Sequence, residues 1–180
     1  MLLIPAKNTR EAAEALSREL AKGPIQLLFV CTHNSRRSQL AEASAAWLWR
    51  GNTAITVRSC GTERTGCHPS TARALEDSGW VVSPLQDGHY RIQKDEVDRL
   101  LYSKTLEEIP RDLPIVAMMT CAEADEACPA IFGAVARIPW RYPDPKVADG
   151  TDECAATYLQ VAKAIEADLQ DLVNQTNSAR

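Results

Sequence analysis

The chain has 180 residues, 45% of them hydrophobic, enough for one domain with a real core and too few for a second. Its formal net charge of -4 gives no overall field favouring nucleic acid or an anionic membrane, so any anion site must be built locally. The opening Met1-Leu2-Leu3-Ile4-Pro5 is too short and lacks the basic leader of a signal peptide. No apolar run approaches the roughly 20 residues of a membrane-spanning helix, and the chain reads as soluble and cytosolic.

Asn8 to Lys22 predicts a helix, with Ala12, Leu16 and Leu20 on one face and Gly23-Pro24 as its stop. Ile25 to Val30 is a continuous apolar run suited to a strand buried on both faces of a parallel sheet, and Cys31 stands at its end. Ser38 to Arg50 resumes helical composition, with Leu40, Ala43, Trp47 and Trp49 for packing, before Gly51-Asn52. Ile55 to Cys60 alternates like a strand, Pro69 to Ser78 reads as a helix closed by Gly79, and Val81-Val82 begins another extended piece. His89 to Gln93 and Arg99 to Ser103 are expected to pair as an antiparallel hairpin around the polar Lys94-Asp95-Glu96. Ile115 to Thr120 is a second apolar strand ending at a cysteine, and Arg137 to Pro139 a last one. Ala155, Leu159, Ala162, Ile165 and Leu169 recur at helical spacing within a long helix from Thr151 to Val173. Strands alternating with helices predict an α/β sandwich with a mostly parallel sheet.

The six cysteines, at 31, 60, 67, 121, 128 and 154, would stay free thiols in a reducing compartment. No Cys-x-x-Cys pair occurs and the three histidines stand apart, so zinc lacks its usual ligand spacing. The chemistry centres on Cys31-Thr32-His33-Asn34-Ser35-Arg36-Arg37-Ser38, between a buried strand and a helix. Such a loop can curl so that successive backbone N–H groups point inward at the positive end of the following helix, making an anion nest with Cys31 at its centre. Arg37 can close the ring as a bidentate donor to two oxygens of phosphate or arsenate. These donors favour thiolate over thiol, Ser38 can donate its hydroxyl to the sulfur, and Asn34 can brace the loop from within. A cysteine ending a strand is more often a small buried hydrophobe. Here the strand before, the helix after and the serine directly following the arginine favour the nucleophile. Further along, Asp144 stands between Pro143 and Pro145, where restricted backbone freedom presets its direction, as suits a positioned general acid. The bland alternative is a rigid turn with a solvated carboxylate.

The loop resembles that of the low-molecular-weight protein tyrosine phosphatases and of the thioredoxin-coupled arsenate reductases, which share a fold and the pattern Cys-x-x-Asn-x-x-Arg-Ser. Gln39-Leu40-Ala41-Glu42 and Ser59-Cys60-Gly61 are similar to the reductase branch in particular. The likeness covers Ile25 to Leu169. It implies a three-layer sandwich around a central, mostly parallel sheet over residues 25–180, with residues 1–24 as an N-terminal helical extension. His33 stands where the reductases commonly have glycine, and Arg36 where they often have cysteine or alanine. Aromatic residues usually follow Asp-Pro in the phosphatases, whereas Lys146-Val147 follow Asp144-Pro145 here, which favours a small inorganic anion.

The resemblance also implies roles. Thr32, His33, Asn34, Ser35, Arg36 and Arg37 would bind the oxyanion, and Asp144 would protonate the departing oxygen. Cys121-Ala122-Glu123-Ala124-Asp125-Glu126-Ala127-Cys128 resembles the reductases' redox segment. Seven residues of helix rise about 10.5 Å, beyond the roughly 4.4 to 6.8 Å between α-carbons that a disulfide allows, so a Cys121–Cys128 bond requires the segment to unwind. The leading reading is arsenate reduction through Cys31, Cys121 and Cys128, with thioredoxin as reductant and no bound organic cofactor. Asn34, Glu42 and Ser59 are expected, by the same similarity, to line a potassium site. Two rivals are a phosphatase using Cys31, Arg37 and Asp144 alone, and a non-enzymatic oxyanion or redox sensor. Cys60 and Cys67 fall outside the family pattern and read as structural, and Cys154 as buried.

Overall fold

Seven consecutive buried residues, Ile25–Cys31, form strand β1 at the centre of a four-stranded sheet. In this computed structural model, which describes residues 2–127, 131 and 133–178, β1 pairs in parallel with β2 (Ile55–Gly61) on one side and β6 (Ile115–Met119) on the other. Strand β7 (Ala134–Pro139) adds to β6, again in parallel, giving the order β2-β1-β6-β7. It starts three residues before the predicted Arg137. A strand with parallel neighbours on both edges has both faces covered, which is why β1 is buried throughout and, Gln26 apart, apolar instead of alternating.

The two faces are covered unequally. Leu27, Phe29, Val57, Val116 and Met118 point to the thicker side. That side is built from α1 (Thr9–Leu20), α2 (Arg37–Leu48), α3 (Pro69–Asp77) and α5 (Cys154–Ser178). Along α5, Tyr158, Val161, Ala162, Ile165, Leu169, Leu172 and Val173 are buried at the three- and four-residue spacing of one helical face. The predicted extension is continuous with this core. Ala12 and Leu16 of α1 are fully buried within it, and the helix is capped by Asn8, whose side-chain oxygen accepts from the Glu11 N–H at 3.3 Å. Leu28, Val30, Ala117 and Met119 face the thinner side, which α4 (Ala122–Ala127) covers with Cys121 and Ala124. The α/β sandwich is as expected, and its central sheet is wholly parallel.

The antiparallel pairs lie in a separate three-stranded sheet of β3 (Val81–Pro84), β4 (Tyr90–Lys94) and β5 (Val97–Leu101). The expected hairpin is present but shifted. Lys94 pairs with Val97, so Asp95-Glu96 is the turn, with Asp95 at φ +50°. Ile92 and Leu101, fully buried, anchor this sheet to the thick side of the core.

Candidate active site

The Cys31–Ser38 segment leaves the end of β1 and enters the first turn of α2, and its carbonyls show how it curls. Thr32 O accepts from Glu63 N at 2.9 Å, and His33 O accepts from Ser103 Oγ at 2.9 Å. Asn34 O accepts from Gln39 Nε2 at 2.9 Å, and Ser35 O from His68 N and Thr71 Oγ1, both at 3.0 Å. In a trans peptide the N–H of the next residue points opposite to each carbonyl. Four carbonyls held outward therefore turn the N–H groups of residues 33 to 36 inward, and the Asn34 N–H reaches Cys31 Sγ at 3.1 Å. This is the nest that the spacing predicts.

Asn34 carries the sharpest bend, at φ +45°, in the left-handed region that asparagine tolerates better than most residues. Its side chain is fixed on every side. Nδ2 donates to Ser38 Oγ at 2.9 Å and to Ser59 Oγ at 2.8 Å, while Oδ1 accepts the Lys104 backbone N–H at 2.8 Å. With Ser38 Oγ accepting from Asn34, its proton is directed to Cys31 Sγ, 3.0 Å away. Gly61, paired with Cys31 in the sheet, lies against the same loop. A Cβ there would meet Thr32 O at 2.6 Å and Asn34 N at 2.7 Å, so the close approach admits only glycine.

Arg37 is buried and joins this loop to the Asp144 loop. Nη1 donates to Tyr142 O at 3.0 Å and Nη2 to Asp144 Oδ2 at 2.6 Å. Asp144 is doubly held, because Oδ1 accepts from Lys146 N at 3.0 Å and caps the short 3-10 turn Pro145–Ala148. Behind it, the N-terminal segment supplies an unexpected contact. The Lys7 ammonium lies 4.0 Å above the Tyr142 ring and 3.4 Å from Asp168.

Cys121 sits under the nest. Its Sγ is 3.6 Å from Thr32 Oγ1 and accepts the Ala124 N–H at 3.3 Å, and it shares a buried cluster with Cys31 and Cys60. Burial pushes its thiol above the ordinary range. Cys128 lies outside the described residues. Burial pushes Cys67 up to about 12, which keeps it an inert thiol. Cys60 is fully buried, whereas Cys154, in the first turn of α5 with Ser70 Oγ at 3.4 Å, packs against the core but is only half-buried.

Two predicted binding residues turn outward. The Arg36 guanidinium donates to Tyr158 Oη at 2.6 Å and to Asp149 at 2.8 Å, tying the loop to α5, so that its place in the nest is its backbone N–H. His33 is half-buried, its ring 3.4 Å from the Glu63 carboxylate. A recess of about 370 Å³ opens beside the loop among His33, Arg36, His68 and Lys146, and among the described residues no tyrosine, tryptophan or phenylalanine lines it.

Asn34, Glu42 and Ser59 do come together, but they do not fit a potassium ion. The Glu42 carboxylate already carries the Lys104 ammonium at 3.1 Å and accepts the Ser59 hydroxyl. A backbone N–H can only donate, so the Lys104 N–H fixes the Asn34 carbonyl oxygen on the side away from Ser59. The group offers amide hydrogens and a lysine where a hard cation needs oxygens. Lys104 and Lys7 both escape the sequence reading, for neither lies in a motif.

The wholly parallel sheet and the cysteine-to-arginine nest at the end of its central strand define a phosphatase-like α/β enzyme. Among known proteins the match is specific: the family described as low molecular weight phosphotyrosine protein phosphatase matches residues 26–180, and the chain belongs to it. An arsenate reductase of Halalkalibacterium halodurans is 32% identical over 127 residues, 71% of this chain and 78% of that protein. One of Brevibacillus brevis is 34% identical over 119 residues, 66% and 75% respectively. A solved arsenate reductase in the phosphate binding state superposes with a TM-score of 0.58 at 22% identity, covering 84% of this chain and 98% of its own. A low molecular weight protein tyrosine phosphatase from Bacillus subtilis gives 0.58 at 20% identity, covering 86% and 98%. At these identities the structures speak for the fold alone.

Proposed function

We propose that the chain reduces arsenate to arsenite. The observation that carries this reading is the second buried thiol: Cys121 Sγ lies 3.6 Å from Thr32 Oγ1, in one cluster with Cys31, and phosphate-ester hydrolysis has no use for it. The arsenate reductases named among its relatives support it. The Cys31 thiolate attacks arsenic, hydroxide departs, and Asp144 supplies its proton, leaving a Cys31–arsenate adduct. The inward N–H groups of residues 33 to 36 and the Arg37 guanidinium hold the adduct's oxygens.

Cys121, as thiolate, then attacks the Cys31 sulfur. The sulfur–arsenic bond breaks with its electron pair left on arsenic, which leaves as arsenite, and a Cys31–Cys121 disulfide forms. Cys128 attacks Cys121, freeing the Cys31 thiolate and forming Cys121–Cys128, which thioredoxin reduces with two electrons. Because residues 122–127 are helical, the second exchange requires α4 to unwind, as the disulfide's reach demands.

The rival is hydrolysis of aryl phosphates through a Cys31 phospho-enzyme, favoured by the completeness of the Cys31, Arg37 and Asp144 set without Cys121. Arsenate-dependent NADPH oxidation with thioredoxin and thioredoxin reductase, run beside aryl phosphate hydrolysis, separates the two. The expected result is sustained NADPH loss that stops in Cys128→Ser, with hydrolysis unaffected by that change. NADPH loss unaltered in Cys128→Ser would remove the relay, and hydrolysis without any NADPH loss would make the chain a phosphatase.

A further inference from the structure

The Lys104 side chain is 6% exposed and that of Glu42 5%, so the ion pair beneath the loop is almost completely removed from water. Lys104 Nζ also donates to Tyr102 O at 3.2 Å and lies 4.4 Å above the Tyr102 ring, a set of contacts that only a cation satisfies. Arg99, a third exposed, stands farther from Glu42 at 3.7 Å. From Glu42 a polarised chain runs to the reacting sulfur. The carboxylate fixes the Ser59 proton, and Ser59 Oγ then accepts one Asn34 amide hydrogen at 2.8 Å. The other amide hydrogen goes to Ser38 Oγ at 2.9 Å, and the Ser38 proton points at Cys31 Sγ. Lys104 enters this chain twice more, donating its backbone N–H to Asn34 Oδ1 at 2.8 Å and accepting the Gly61 N–H at 2.8 Å.

We propose that Lys104 is the resident cation of the oxyanion loop, a positioning residue that acts through Glu42, Ser59 and Asn34 and makes the loop independent of potassium. A buried carboxylate without a counter-charge is heavily penalised, so removing the ammonium turns Glu42 away or neutralises it. Ser59 then loses its acceptor, and Asn34, held in a left-handed conformation by these bonds, loses its brace. The inference rests on Cys31 being the reacting thiol, under either chemistry. A recess of about 400 Å³ lined by Glu42, Arg58, Arg99 and Lys104 gives a small ion a way in once the lysine stem is shortened.

The test needs neither arsenate nor reductant. Cys31 alkylation by iodoacetamide, located by mass spectrometry and checked for protection by inorganic phosphate, is measured in potassium, lithium and choline chlorides at equal ionic strength. Melting temperature is read in parallel. The wild-type rate should be the same in all three salts. Lys104→Ala should be slower in choline by about tenfold or more, the scale of one lost charge-assisted hydrogen bond. Potassium, and lithium far less, should restore both its rate and its melting temperature. Lys104→Met, which keeps the stem's volume, should be slow and indifferent to salt. Potassium dependence in the wild type would overturn the proposal, as would a Lys104→Ala rate equal to wild type or a loss that no cation relieves. Failure of phosphate to protect Cys31 in the wild type would instead strike at the assignment of the reacting thiol.

Discussion

The Cys31–Ser38 loop and helix α4 touch through Thr32 and Cys121, yet they are held by opposite means. Four loop carbonyls are tied to four different segments, and the Asn34 side chain is bonded through both its nitrogen and its oxygen. A residue bent this sharply persists only where its surroundings over-determine it. The six residues of α4 are too few for a self-standing helix. Much of the helix's anchorage converges on Asp125, whose carboxylate is shared by Arg137 at 2.7 Å and by Arg141. The difference matches the two tasks proposed for them. An oxyanion is bound best by donors that do not reorganise, whereas a relay thiol must leave its place to pass on a disulfide.

Gly61→Ala is the harshest probe of the rigid side. A methyl group 2.6 Å from Thr32 O pushes the loop off its geometry, and a displacement of that order costs about 100-fold in turnover. Arsenate reduction and aryl phosphate hydrolysis should fall together, read as kcat in both assays. A loss confined to one activity would show that the loop does not serve both.

Asp125→Ala addresses the releasable side. Removing the carboxylate that Arg137 and Arg141 share should destabilise the closed helix by about 1–3 kcal/mol. Cys121 should then alkylate about tenfold faster or more, since about 1.4 kcal/mol is a factor of ten. Cys31 alkylation should stay within about twofold, because its neighbours are bonded elsewhere. Equal acceleration at both thiols would mean that loop and helix are held as one unit.

A gentler effect concerns Cys67, which adjoins His68, the residue whose N–H holds Ser35 O. Its thiol is raised to about 12 by burial, so between the ordinary thiol range and that value the folded state keeps a proton that the unfolded state has lost. Stability should therefore decline as pH rises above about 9, by at most about 1.4 kcal/mol per pH unit. Urea midpoints should fall less steeply with pH in Cys67→Ala than in wild type. Parallel curves would show that Cys67 ionises as freely in the folded chain as in the unfolded one.

Much of this comparison is written in local sequence. An apolar run too continuous for a one-sided strand marks β1 as central, and helical spacing marks α5. The Cys31-to-Ser38 pattern places a nest between them, because N–H direction in a short strand-to-helix loop is a local matter. Side-chain direction across distant segments is not. Arg36 belongs to the motif, but Asp149 and Tyr158, more than a hundred residues on, draw its guanidinium out of the nest. Lys104, in a stretch without periodicity, reaches Glu42 only because β5 brings the chain back beside β2 and α2. The hairpin register slips for a related reason: Lys94-Asp95-Glu96 gives no preference for which polar residue turns, and burial of Ile92 and Leu101 decides it.

If the buried thiol beneath the nest separates arsenate chemistry from phosphate hydrolysis, Cys121→Ser assayed for both with one preparation will divide the two activities. Aryl phosphate hydrolysis should stay within about twofold of wild type, since the hydroxyl nearly keeps the site's volume and its contact with Thr32. Arsenite formation should be lost even with excess thioredoxin. Arsenite formation surviving at the wild-type rate, or both activities falling together, would contradict that separation.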